Sequence, residues 1–406
     1  MKTSSPSESP SVSPSANQDH AQLITKLQDP VYLTQELIKC QSVTPFEGGA
    51  LTLLESWLSA LGFECHRLPF SDENTPDVDN LFAIRKGSNA FHFCFAGHTD
   101  VVPAGPLKAW VQQPFAAKVI DDHVLGRGAV DMKGGISCFV SALARLHAQN
   151  QNPDFTVSLL ITGDEEDVAI NGTQKVLKWI EGQHIQLDFC LVGEPSSVKT
   201  LGDTIKIGRR GSLNTTMTFT GKQGHVAFPE KSNNPVPKMI ACLHALNSGP
   251  KEGTSDFFDA SNLEITSIDV GNKTTNLIPE AITARFNIRF NDLHTGDSLS
   301  QWIKETAHQH CDLVSFEFEF SGEAEFVKPN ATVKKLESAI TEVTSLTPDL
   351  TTAGATSDAR FIRYYCPVIE FGHVGETMHQ INEKVATKDL EDLTSIYKVF
   401  LENLNT

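Results

Sequence analysis

Gly97-His98-Thr99-Asp100 and Thr162-Gly163-Asp164-Glu165-Glu166 each close an apolar run that reads as a buried β-strand. Imidazole and carboxylate donors at strand ends are the material of a two-metal hydrolytic site, and these two motifs supply half of one. His98 and Asp100 stand at i and i+2, which share a face of a strand, so a metal-ligating imidazole and a carboxylate that orients it can lie side by side. A satisfied surface pair is the competing reading of a bare His-x-Asp. Asp131 lies in Gly126-Arg127-Gly128-Ala129-Val130-Asp131-Met132-Lys133-Gly134-Gly135, a glycine-rich turn opening a helix. One carboxylate there can be shared by two cations or can cap the helix. Glu165 and Glu166 are neighbouring acids, either solvated or divided between a metal and its water. Glu194 ends Leu191-Val192-Gly193-Glu194-Pro195, and His379 sits in the loop Glu376-Thr377-Met378-His379-Gln380. Each of these residues alone has an ordinary structural explanation. What marks a site is coincidence: five ligand-capable residues, four of them at predicted strand ends or the loops just beyond.

The elements that must position them alternate along the chain. Residues 31–40 and 50–61 carry apolar side chains at helical spacing, while 91–102, 155–162 and 188–194 are apolar and β-rich, separated by helices predicted at 134–149 and 172–181. Strands alternating with helices imply an α/β sheet covered on both faces, with ligand sites at the carboxyl ends of its strands. After Arg210 the pattern changes. Strands are predicted at 212–220, 263–270, 281–290 and 313–320, with helices at 235–246 and 299–310, giving the order β-α-β-β-α-β of a ferredoxin-like unit. The α/β pattern resumes near Pro329, with a helix, a strand at 368–371 and a closing helix at 389–404. The expected organisation is therefore a disordered tail over 1–20, a catalytic domain in two parts (21–210 and 326–406), and an inserted lid over 211–325. The tail rests on the Ser- and Pro-rich composition of the first twenty residues, and the ordered fold is expected to start near Asp29.

Composition limits the function classes. A chain of 406 residues with 40% hydrophobic content exceeds one ordinary core and suggests two domains. A net charge of −17 argues against sequence-independent binding to nucleic acid or to an anionic membrane. No apolar run is long enough to span a bilayer, and the N-terminal residues show no secretory apolar core. Eight scattered cysteines without a C-x-x-C pair read as reduced core residues of a cytoplasmic protein. There is no Gly-x-Ser-x-Gly elbow, so a serine hydrolase is not expected.

Taken together, His-Thr-Asp, the Asp131 turn, Asp-Glu-Glu, Leu191–Ser197 (LVGEPSS), Gly208–Ser212 (GRRGS), Gly224–Pro229 (GHVAFP), Thr356-Ser357-Asp358 and the late Met-His resemble the two-zinc amidohydrolases that include aminoacylases and carboxypeptidases. The resemblance runs from about residue 30 to the C-terminus and is nearest to the branch that acts on succinylated amino acids. It implies an α/β, two-domain, mixed-sheet zinc-peptidase-like catalytic domain with an inserted ferredoxin-like α+β lid and dimerisation domain. It implies that His98 and Glu194 bind one Zn2+, Glu166 and His379 the other, and Asp131 bridges them, with Co2+ accepted by the same ligands. Asp100 would orient His98, and Glu165 would be the general base. Arg209 would meet a substrate carboxylate with Ser212 nearby, and Asn276, Arg289 and Thr356 match further substrate contacts. His225 matches a histidine that reaches the partner subunit's site, which implies a homodimer. The implied reaction is hydrolysis of N-succinyl-L,L-2,6-diaminopimelate, a small dicarboxylate substrate. The alternatives are deacylation of another N-acyl amino acid such as N-acetylornithine, or a metal-binding paralogue without catalysis. Three positions depart from the family pattern: Phe228 stands for Tyr, Thr275 for the first Asn of a pair, and Gly375 for Asn.

Overall fold

A computed structural model describes residues 14–249, 253–354 and 357–405 of the chain. They form two units. The first comprises Met1–Ile205, Pro329–Asp349 and Ser357–Thr406, and the second Lys206–Lys328 and Leu350–Thr356.

The first unit is built on an eight-stranded sheet whose spatial order is Glu64–Arg67, Leu81–Arg85, Thr156–Thr162, His92–His98, Phe189–Val192, Val368–Glu370, Thr204–Lys206 and Asp349–Thr351. Thr156–Thr162 and Phe189–Val192 both run parallel to His92–His98, and Val368–Glu370 runs parallel to Phe189–Val192. Leu81–Arg85 is antiparallel to Thr156–Thr162, so the sheet is mixed. The edge strand Glu64–Arg67 carries polar residues (Glu, Cys, His, Arg) that leave little apolar periodicity to read. Every residue of His92–His98 is buried, as a strand covered on both faces must be. Helices Lys133–Ala148 and Thr387–Leu404 pack together over it. There Phe95 stacks on Phe139 at 4.1 Å between ring centroids, Tyr397 meets both rings edge-on, and the Tyr397 hydroxyl donates to the Phe371 carbonyl at 2.7 Å. Full burial of each such ring contributes roughly 1.5–3 kcal/mol.

Part of the expected tail is ordered. Pro14–Leu27 is a helix packed on Lys133–Ala148, with Ile24 and Leu27 buried. Leu23, Ile24 and Leu27 supply an apolar stripe at i, i+1 and i+4 that outweighs the polar flanks. Residues 1–13 of that predicted tail lie outside the described residues.

The second unit has the predicted β-α-β-β-α-β order. Its four-stranded antiparallel sheet runs Asn262–Asp269, Ala281–Phe290, Gly211–Thr220, Val314–Gly322. Inward residues Leu213, Met217, Phe219, Phe286 and Ile288 alternate with outward polar ones and pack on Met239, Leu243 and Leu246 of helix Pro235–Asn247 and on Leu299 and Ile303 of helix Gly296–His308. The second helix begins in a capping box between Thr295 and Ser298. Among the described residues no helix is long and apolar enough to cross a membrane.

Candidate metal centre

The carboxyl ends of three adjacent parallel strands deliver the donors. His98 is the last residue of its strand, Glu165 and Glu166 follow Thr156–Thr162, and Glu194 follows Phe189–Val192. Asp131 precedes helix Lys133–Ala148, whose start presses against the end of the Phe189–Val192 strand. A Cβ on Gly135 would lie 2.6 Å from the Gly193 carbonyl oxygen, so only glycine allows that approach. His379 adopts a left-handed φ of 59° in the loop after Val368–Glu370.

The five predicted ligands converge. His98 Nε2 lies 3.0 Å from Asp131 Oδ1 and 3.6 Å from Glu194 Oε1. His379 Nε2 lies 3.1 Å from Asp131 Oδ2 and 2.8 Å from Glu166 Oε1. Donor atoms of His98, Asp131 and Glu194 all fall within 4.8 Å of one another, and so do those of Asp131, Glu166 and His379. Asp131 thus presents one oxygen to each trio. His98, Asp131 and Glu194 are buried, whereas His379 is 45% exposed, so one half of the cluster opens to solvent.

The electrostatics fit a cationic occupant. Burial works against charge on His98, but its hydrogen bond to Asp131 and the charges of Asp131, Glu194 and Asp100 together outweigh burial and hold the imidazole well above its ordinary pKa. Bonds to Asp131 and then to Glu166 push His379 up to about 10. Burial would raise Asp131, yet the hydrogen bonds from His379 and His98 keep it well below the carboxylate range. Burial, then the nearby Asp131 charge, drives Glu194 far up. Packed carboxylates that draw up the imidazoles and one another in this way form a cluster that favours positive charge. Two imidazole nitrogens and three carboxylates, one of them shared, are a donor set suited to two divalent ions of the zinc type.

Two acids beside the cluster have other partners. The Asp100 carboxylate was expected to orient His98, but its own main-chain carbonyl takes that place, 2.9 Å from His98 Nδ1, while Oδ1 stands 3.6 Å away. The strand ends at His98, so Asp100 already lies in the loop, and its carboxylate turns to accept the backbone N–H groups of Glu165 (3.1 Å) and Glu166 (3.0 Å). Burial pushes Asp100 up to about 6. Glu165 makes none of the close contacts that join the two trios, and burial lifts it to about 8, with Asp358, Glu166 and Asp100 adding and His98 opposing.

The predicted substrate residues belong to the second unit, apart from Thr356, which lies outside the described residues. Ser212 and Arg289 are paired across neighbouring strands, and Arg209 Nη2 donates to the Ser321 carbonyl at 3.0 Å. His225 is exposed and its Nδ1 accepts from Ala227 N–H at 3.1 Å, while the Asn276 carbonyl accepts from Val226 N–H at 3.1 Å. Three acids around the metal donors escaped the motif reading. Asp164 folds the Glu165–Glu166 loop by accepting N–H groups from Ala169 and Asn171, Asp358 accepts from Thr173 Oγ1 at 2.6 Å, and Glu383 grips the Asp131 turn. Asp164 and Asp358 lie inside motifs already singled out, but only distant contacts give them tasks.

Comparison with known proteins shows the family. The model of peptidase family M20/M25/M40 matches residues 94–403. The chain is 49% identical to the succinyl-diaminopimelate desuccinylase of Rhodospirillum centenum over 374 residues, covering 92% of this chain and 97% of that one. It is 51% identical to the enzyme of the same name from Bradyrhizobium diazoefficiens, covering 92% and 99%. In fold it is similar to aminopeptidase PepT from Bacillus cereus (TM-score 0.73, 19% identity, 94% of this chain and 99% of that one). It is also similar to Bacillus subtilis YXEP, a dinuclear metal-binding peptidase (TM-score 0.65, 15% identity, 96% and 98%).

Proposed function

The chain belongs to peptidase family M20/M25/M40, and on that footing we propose that it hydrolyses N-succinyl-L,L-2,6-diaminopimelate to succinate and L,L-diaminopimelate, a step toward lysine. It is a metal-dependent hydrolase. The observation that carries the reading is the double trio sharing Asp131, with an acid outside both trios alongside.

In this reading His98, Asp131 and Glu194 hold one Zn2+, Asp131, Glu166 and His379 the other, and Co2+ fits the same donors. Bound there, the ions would supply Lewis acidity toward the amide carbonyl and acidify water. Glu165 takes a proton from the attacking water as its oxygen bonds to the carbonyl carbon, then gives that proton to the nitrogen as the C–N bond breaks. Asp100 holds the backbone of Glu165 and Glu166 in place. Arg209 grips the succinyl carboxylate, with Ser212, Asn276, Arg289 and Thr356 as further contacts, because a guanidinium fork matches a carboxylate. His225 serves the partner subunit's site in a homodimer. Eight free thiols, six of them buried, suit a cytoplasmic enzyme.

The test is to offer the purified, zinc-loaded protein succinyl-diaminopimelate and N-acetylornithine side by side, with elemental analysis of the protein and of His379→Ala. Preferential release of succinate, with two ions in the parent and one in the variant, is expected. Preference for acetylornithine would reject the substrate, and equal metal contents would reject the second ion site.

A further inference from the structure

The loops that carry Asp131 and His379 are far apart in the sequence, and a buried ion pair joins them. Strand Lys384–Ala386 pairs antiparallel with His123–Leu125, so Glu383 and Arg127 flank the same short ladder. Glu383 is 0% exposed and Arg127 3%, and Arg127 Nη1 donates to Glu383 Oε2 at 2.7 Å. The Glu383 carboxylate also accepts three backbone N–H groups of the Asp131 turn: Gly128 at 3.0 Å on Oε2, Val130 at 2.9 Å and Asp131 itself at 3.2 Å on Oε1. On the other side the guanidinium donates to the carbonyls of Gln380 (3.2 Å) and His379 (3.5 Å), and to Pro103 (3.4 Å).

We propose that Glu383 and Arg127 are positioning residues for the metal centre, setting the distance between the carboxylate shared by both ions and the histidine of the solvent-facing half. The physical reason is that a carboxylate accepting several N–H groups fixes a turn more rigidly than neutral acceptors do, and an arginine fork fixes direction as well as distance. A buried pair of this kind adds little net stability against an apolar replacement, so positioning is the function that accounts for it. The inference rests on the reading of the cluster as a dinuclear metal site.

The experiment strips metal from the parent protein, Glu383→Gln and Arg127→Lys and titrates each with Zn2+ against a chelating competitor. Backbone hydrogen exchange of the metal-free proteins is followed alongside. Glu383→Gln keeps the shape but offers only one acceptor oxygen, and Arg127→Lys keeps the charge but loses the fork. Each should still take two ions at saturation, with affinity for at least one reduced about ten- to a hundredfold. Exchange at Gly128, Val130 and Asp131 should quicken while strand His92–His98 stays protected, and kcat should fall with KM little changed. A merely structural pair would lower the melting temperature without moving metal affinity in the folded variants, and that outcome overturns the proposal. Should Glu383→Gln fail to fold, the Arg127→Lys titration decides alone. A parent protein that binds no ions would instead sink the metal reading, so the two failures are distinct.

Discussion

At the residue scale, two adjacent glutamates part company. Glu166 lies 2.8 Å from His379 and belongs to a trio of donors, whereas Glu165 stands outside both trios with a pKa drawn up to about 8. Neighbouring side chains in a loop need not share a direction, so a ligand and a base can occupy consecutive positions. Glu165→Gln should retain two ions by elemental analysis yet lower kcat by at least about a hundredfold, the lower end of what a general base contributes. Intact turnover in the metal-loaded variant would remove Glu165 from the reaction. The same logic speaks against a non-catalytic metal binder, which has no use for an acid that binds nothing.

At the element scale, the strand Val368–Glu370 and the loop beyond it carry a histidine with no metal to hold. His373 is 1% exposed, its Nε2 lies 3.7 Å from Cys138 Sγ, and burial pushes its pKa from 6.5 down to about 4. The folded protein keeps this ring neutral, while the unfolded chain takes up a proton below about 6.5. The unfolded state therefore binds more protons between pH 6.5 and about 4, and stability falls as pH falls through that window. The slope from this one group is at most about 1.4 kcal/mol per pH unit. Denaturant titrations of the metal-free protein at pH 7, 6, 5 and 4 should show His373→Leu losing less stability on acidification than the parent. Parallel curves would show that the ring is not held neutral.

At the scale of the whole molecule, the clustered metal donors lie in one unit and the predicted recognition residues in the other. A net charge of −17 makes the mean field unfavourable to a dicarboxylate, so recognition must depend on particular cationic groups. Arg209→Ala should lower kcat/KM for the succinylated substrate by at least about tenfold, the value of a charged hydrogen bond lost, and leave an acetylated substrate nearly unaffected. Equal losses on both substrates, measured with the same metal-loaded preparation, would reject the carboxylate clamp.

The sequence by itself determined what depends on neighbours along the chain. Donor types at strand ends, the α/β alternation and the β-α-β-β-α-β order all follow from local periodicity and turn residues, and the family resemblance picks out His98, Asp131, Glu166, Glu194 and His379, whose donor atoms lie together. Tertiary structure alone decided who partners whom. Asp100 hands its carboxylate to the backbone of Glu165 and Glu166, 65 and 66 positions away, and Glu383 meets Arg127 across 256. The helix Pro14–Leu27 begins in a segment whose composition reads as tail, because the apolar stripe just beyond that segment gains a surface to cover. Propensity and motif are properties of a few consecutive residues, whereas burial and the hydrogen bonds that satisfy it are created only when distant segments meet.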